Sequence, residues 1–180
     1  MVTFLAVLTV AAQALLAALL LAAIIQLVSA KRPLDALREL LGRDALRIAL
    51  LVAIAGTAGS LYMSEIRHFP PCPLCWYQRI AMYPLVPILA IAAVINDTKV
   101  FRYVLPLTLT GLAVSIYHTQ LELFPSQVTI ACTKSVPCTT IWFQEFGYIT
   151  IPVMAGTAFM LVAALTWLGR THGQGITKQA

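Results

Sequence analysis

The segment Pro70–Arg79, PPCPLCWYQR, sets two of the chain's four cysteines three positions apart, with a proline between them and an apolar run just beyond. The other two, Cys132 and Cys138, share a second polar segment. Pairs at such spacings can clip a metal, staple a loop, or make and break a disulfide. Zinc held by two cysteine half-sites fits poorly, because five residues separate Cys132 from Cys138, wider than the usual half-site. A purely structural staple gains little at Cys72 and Cys75, since so short a loop costs the unfolded chain little entropy. Dithiol chemistry suits the pair better. Pro73 fits the first position of a helix, where its missing N–H costs nothing, which puts Cys72 at the cap and Cys75 in the first turn. Unpaired N–H groups and the helix dipole favour a thiolate there. Arg79, four residues after Cys75, shares its helical face and offers positive charge to a thiolate or to an acceptor gaining electrons. Its bland alternative is a cation snorkelling to lipid headgroups.

The elements that must position these groups are membrane spans. Of 180 residues, 60% are hydrophobic and only 11% charged, too few to coat a soluble globule. Five runs lack Lys, Arg, Asp and Glu: Val2–Ala30, Ile48–Ser64, Ile80–Asn96, Tyr103–Leu121 and Phe146–Gly169. No basic residue precedes the first run, and it is too long for the apolar core of a signal peptide, so it reads as a span. The net charge of +5 does not mark a nucleic-acid binder, because its basic residues are sorted by side. Lys31, Arg32, Arg38, Arg43 and Arg47 fall in the first connector, Lys99 and Arg102 in the third, and Arg170 and Lys178 after the last run. That side is cytoplasmic by the positive-inside rule, leaving the N-terminus and all four cysteines external and the C-terminus inside. External thiols meet an oxidising compartment, so the two pairs read as two disulfides, with no metal. Leu34, Leu37 and Leu41 in the first connector are spaced for a short helix on the inner headgroups, or for an ordinary solvated connector. Trp76, Tyr77, Tyr83, Trp142, Phe143, Phe146 and Tyr148 gather at outer span ends as an aromatic belt would. Pro84, Pro87, Pro106 and Pro152 interrupt the runs, and Glu122 and Glu145 flank the external loop.

Three motifs, CPLCWYQR, then SIYHTQLELFPS leading to Cys132, then FGYITIP, together resemble the DsbB/BdbC family of quinone-dependent thiol oxidases over roughly Ile48 to Gly169. In the DsbA–DsbB relay, electrons drawn from protein thiols pass to a quinone, and this keeps the bacterial periplasm oxidising. The resemblance implies that Cys132 is attacked by a reduced thioredoxin-like partner of the DsbA type, with Cys138 as its resolving or relay partner. It implies that Cys72 passes electrons inward, that Cys75 meets the ring of a ubiquinone or menaquinone, and that Arg79 and His118 lie beside that quinone. Without those motifs, His118 would read as a satisfied histidine at a helix end.

Two departures from the family stand out. Four-span members lack the first run and its basic connector, and the Cys132–Cys138 loop is shorter here than in familiar members. The expected protein is all-α and polytopic, a four-helix bundle core with one additional N-terminal transmembrane helix packed peripherally, in the bacterial cytoplasmic membrane. Residues 1–47 would form that helix and connector, 48–170 the catalytic bundle and 171–180 a cytoplasmic tail. The competing readings are a scaffold or transporter subunit with structural disulfides, and a vitamin K epoxide reductase-like enzyme.

Overall fold

The structure, a computed structural model, describes residues 1–28, 40–42, 44–127, 132 and 136–176, the side chains of 98 and 171–176 excepted. Helix α1 is Val2–Val28, and α2 is Ala45–Leu61, extended by a wider π-helical turn at Tyr62–Ile66. Helices α3, Pro73–Met82, and α4, Leu85–Ile95, form one span bent at Tyr83 and Pro84. Helix α5 runs Phe101–Leu123 and α6 Ile151–Ile176. Most of the first connector, with its expected surface helix, lies outside the described residues. Among the described residues no strand forms; Glu145 and Ile149 make one isolated bridge.

Helix α6 is the central post. It packs along α5 and α2 and also against α1, while α2 meets α4 and α3 meets α5. The core formed there includes Ala49, Ala53, Leu85, Leu89, Val104, Phe159, Val162 and Leu165. Lipid is as apolar as these side chains, so association depends on close packing and satisfied polar groups rather than on water exclusion. The α5–α6 seam shows both. A methyl at Gly111 would fall on the Phe159 ring, and one at Gly156 would meet Ser115 at 3.2 Å. Thr108 and Ser115, both buried, donate their hydroxyls back to the carbonyls of Val104 at 3.0 Å and Gly111 at 2.9 Å.

Among the described residues, four helical segments are long and apolar enough to cross a membrane: Val2–Val28, Ala45–Ile66, Pro73–Ile95 and Ile151–Arg170. Helix α5 occupies the fourth expected run and is long enough at 23 residues, but its Thr, Ser and His content leaves it less apolar than the others. Two span starts move by five residues or more. The third span starts at Pro73 rather than Ile80, because the Arg79 guanidinium is taken up by hydrogen bonds to Ser60 within the bundle and does not end the helix. The last starts at Ile151 rather than Phe146, because residues 145–149 form a tight turn in which Phe146 and Gly147 take positive φ of 51° and 79°. Glycine adopts that conformation without steric cost.

Candidate active site

Cys72 caps α3. Its backbone is extended, its Sγ accepts the Cys75 N–H at 3.3 Å, and Pro73 fills the first helical position. The two sulfurs lie 3.0 Å apart and are unbonded. Of the two disulfides expected, the structure therefore closes one, Cys132–Cys138, across a Cα separation of 5.7 Å.

The two sulfurs of α3 face different surroundings. Cys72 is buried in a packed cluster with Leu74, Leu121 and Cys138, against which Cys75, Cys132 and Tyr117 also pack. Within the loop disulfide, Cys138 is buried and Cys132 is partly exposed, so the outer sulfur is the accessible one. His118, 46 positions away on α5 and also buried, brings Nε2 to 3.7 Å from Cys72 Sγ; Gln78 Nε2 lies 3.4 Å from its Nδ1. The Cys75 thiol first, and His118 second, hold the Cys72 thiol below its ordinary pKa, against the opposing effect of burial.

Cys75 instead lines an apolar cavity of about 510 Å³ between α1, α2, α3 and α6. Arg79 lines it too, while neither Cys72 nor His118 does. The Arg79 guanidinium is fixed by donating Nε to Ser60 Oγ and Nη2 to the Ser60 carbonyl, both at 3.0 Å, and lies 5.2 Å from the centre of the Trp76 ring. Tyr83 adds its hydroxyl to Ser60 Oγ at 3.4 Å. Ser60 can take these donors because the helix widens just after it, at the π turn. Phe69 stacks on Trp142 with centroids 5.1 Å apart, and both rings line the cavity.

This cavity suits a quinone by its chemistry. Its walls are almost wholly hydrocarbon, its size is that of a small-molecule site, and its few polar groups include a fixed guanidinium and a thiol. Cys72, Cys75 and His118 could also share one thiophilic cation, their donor atoms lying within 4.8 Å of one another. The sulfur separation of 3.0 Å is shorter than the roughly 3.8 Å edge of a tetrahedral zinc–thiolate site, so it suits sulfur exchange better.

Ser60 and Gln78 were not candidates from the sequence. Ser60 could have been flagged as a hydroxyl in an apolar run; nothing local marks Gln78. Glu122, expected only to mark the edge of the loop, is buried and accepts the Thr150 hydroxyl at 2.6 Å. Of the belt aromatics, Trp76, Tyr77, Trp142, Phe146 and Tyr148 are exposed.

The family described as "Disulfide bond formation protein DsbB" matches residues 42–169. Disulfide bond formation protein C of Bacillus subtilis is 50% identical over 113 residues, covering 62% of this chain and 82% of its own. A probable disulfide formation protein of Deinococcus radiodurans is 49% identical over 137 residues, covering 69% and 88%. One from Coxiella burnetii is 39% identical over 127 residues, covering 69% and 86%. No solved structure matches the chain.

Proposed function

This chain belongs to the DsbB family of disulfide bond formation proteins, multi-pass bacterial membrane oxidoreductases, and from that premise we propose that it carries electrons from an external thioredoxin-like dithiol to a membrane quinone. The observation that carries the proposal is the division of α3: Cys72 packs with the Cys132–Cys138 disulfide, and Cys75, one turn on, opens onto the apolar cavity. The two sulfurs link a site that a protein can reach to one that a lipid-soluble acceptor can reach.

A thiolate of the partner attacks Cys132, the more exposed sulfur, and Cys138 leaves as a thiolate. The partner's second thiol resolves the mixed disulfide, so the partner leaves oxidised and Cys132 and Cys138 are left as a dithiol. When Cys72 and Cys75 are joined, attack of the Cys138 thiolate on Cys72 expels Cys75, and Cys132 then closes the loop disulfide again. This leaves Cys72 and Cys75 as a dithiol, with the loop disulfide closed. A quinone held in the cavity beside Cys75 and Arg79 would supply the sink for the two electrons and two protons released when Cys72 and Cys75 return to the disulfide. Arg79 holds positive charge beside Cys75, where electron density leaves the chain. His118, which the family resemblance sets beside the quinone, here faces Cys72; its role in this scheme is to stabilise the Cys72 thiolate and exchange its proton. The external placement of the cysteines and of the N-terminus is part of the same proposal, supported by the distribution of basic residues.

The test is reconstitution of the chain with a reduced thioredoxin-like protein and a quinone, following partner thiols and quinone absorbance together. One quinone reduced per partner disulfide formed is the expected stoichiometry. Partner oxidation with no quinone reduced would sink the electron-transfer reading.

A further inference from the structure

The family match begins at residue 42, so α1 lies wholly outside it, yet α1 is not packed as a bystander. Leu5, Leu8, Thr9, Ala12 and Leu15 line the same cavity as Cys75 and Arg79. Their spacing of three and four is a single helical stripe. Leu5 lies at the level of the Arg79 anchor, since a methyl on Gly59, next to Ser60, would meet a Leu5 methyl at 3.1 Å. From Leu5 to Leu15 the stripe descends ten residues, about 15 Å along the helix axis. The helix is also keyed in place by hydrogen bonds that a bare anchor has no need of. Gln13, in a helix without a charged residue, accepts the Tyr148 hydroxyl at 2.6 Å and donates to Thr157 on α6 at 3.2 Å. Nearer the end, Thr3 donates to Glu145 at 3.3 Å. In an apolar medium, such pairs fix the rotation of a helix, and here they turn the Leu5–Leu15 stripe toward the cavity.

We propose that α1 is part of the electron-acceptor site, its Leu5–Leu15 stripe forming the wall that holds the hydrocarbon tail of an isoprenoid quinone whose ring lies toward Cys75 and Arg79. The proposal rests on the quinone reading above. A chain without this wall would leave that flank of the cavity to lipid, and the tail would compete with acyl chains for it. With the wall, tail binding is a property of the protein.

The experiment uses the full-length chain in detergent, with a decyl-substituted benzoquinone and the same ring lacking the tail. Ala12→Phe fills the cavity from the α1 side; Leu20→Phe, at an exposed position outside the cavity, is the control. Three quantities are read: KM and kcat for each quinone, the rise in Tm on adding each quinone, and the rate of thiol exchange at Cys132–Cys138. For Ala12→Phe, KM for the decyl quinone should rise about tenfold, with the tail-less ring, kcat and thiol exchange little changed. Its Tm rise with the decyl quinone should shrink to that given by the ring alone, while Leu20→Phe behaves as wild type. If Ala12→Phe does not fold, Leu8→Ala, which loosens the same wall, should raise the decyl-quinone KM severalfold. Equal KM and Tm responses in these variants and the control would overturn the role of α1 and leave the function standing. A wild-type chain that exchanges thiols but neither binds nor reduces either quinone overturns both.

Discussion

Cys72 and Cys75 are one helical turn apart and chemically identical in sequence, yet they occupy opposite environments. Cys72 is buried among Leu121, Cys138 and His118, in a cluster that leads to the loop disulfide. Cys75 looks into a hydrocarbon-walled cavity bordered by the Arg79 guanidinium. The difference shows how a dithiol of two like groups acquires direction. One sulfur is placed where another disulfide can be reached, the other where an apolar acceptor can be held, and the turn of helix between them is the link.

The greatest loss should follow removal of the sulfur on the cavity side. Cys75→Ala should bring quinone reduction down to the uncatalysed rate while Cys132–Cys138 still exchanges with a reduced partner, as gel-resolved alkylation of the partner thiols would show. Quinone reduction at the normal rate in this variant would erase the distinction between the sulfurs. Cys138→Ala probes the other side: the loop disulfide cannot form, so a reduced partner should no longer be oxidised, while a partner supplied in its disulfide form should be attacked by the lone Cys132 thiolate and give a mixed disulfide visible on a non-reducing gel.

Next is the charge beside the cavity. Arg79→Met should lower the quinone reduction rate by about 10²-fold, the low end for loss of one preorganised charge contact, and Arg79→Lys should keep part of it. The guanidinium also holds Ser60, so the amount of folded protein is measured with the initial rates. Wild-type kinetics in the Met variant would reduce Arg79 to a structural tie between α2 and α3.

A smaller, pH-dependent effect is expected on the Cys72 side. Cys72, which precedes the third span, has its pKa lowered chiefly by the Cys75 thiol and then by His118. Its folded pKa lies below its unfolded one, so the stability it adds to the reduced protein is complete above the ordinary thiol pKa and fades as pH falls through the lowered value. His118→Ala should move the thiolate transition back toward the ordinary range and slow relay through Cys72 roughly tenfold at neutral pH, less in alkali. Ultraviolet thiolate absorbance against pH, in the reduced chain, reads the shift directly. The least effect on turnover is expected at Thr150→Val, which strips Glu122 of its hydrogen bond and should cost on the order of 1.5 kcal/mol of stability without changing the order of electron flow. Thermal melting paired with the quinone assay checks both halves of that expectation.

Neighbouring residues alone settle a good part of this molecule. Apolar runs of sufficient length specify the helices, because an unpaired backbone cannot cross lipid. Pro73 beside Cys72 specifies the cap, because a missing N–H costs nothing in the first turn of a helix. The motifs around Cys72, His118 and Phe146 are enough to point to the family. The boundaries at Arg79 and Phe146 escape a reading of the chain for local reasons: a charge ordinarily ends a span, and an uncharged turn looks like its continuation. Which sulfur faces which neighbour is decided by the assembled helices. It depends on groups far along the chain: His118 meets Cys72 across 46 positions, Ser60 fixes Arg79 across 19, and Gln13 is held by Tyr148 across 135. No spacing rule reaches so far, because the faces that helices turn to one another are set by how their surfaces pack together, and Gly111 fits beneath Phe159 only in the assembled bundle.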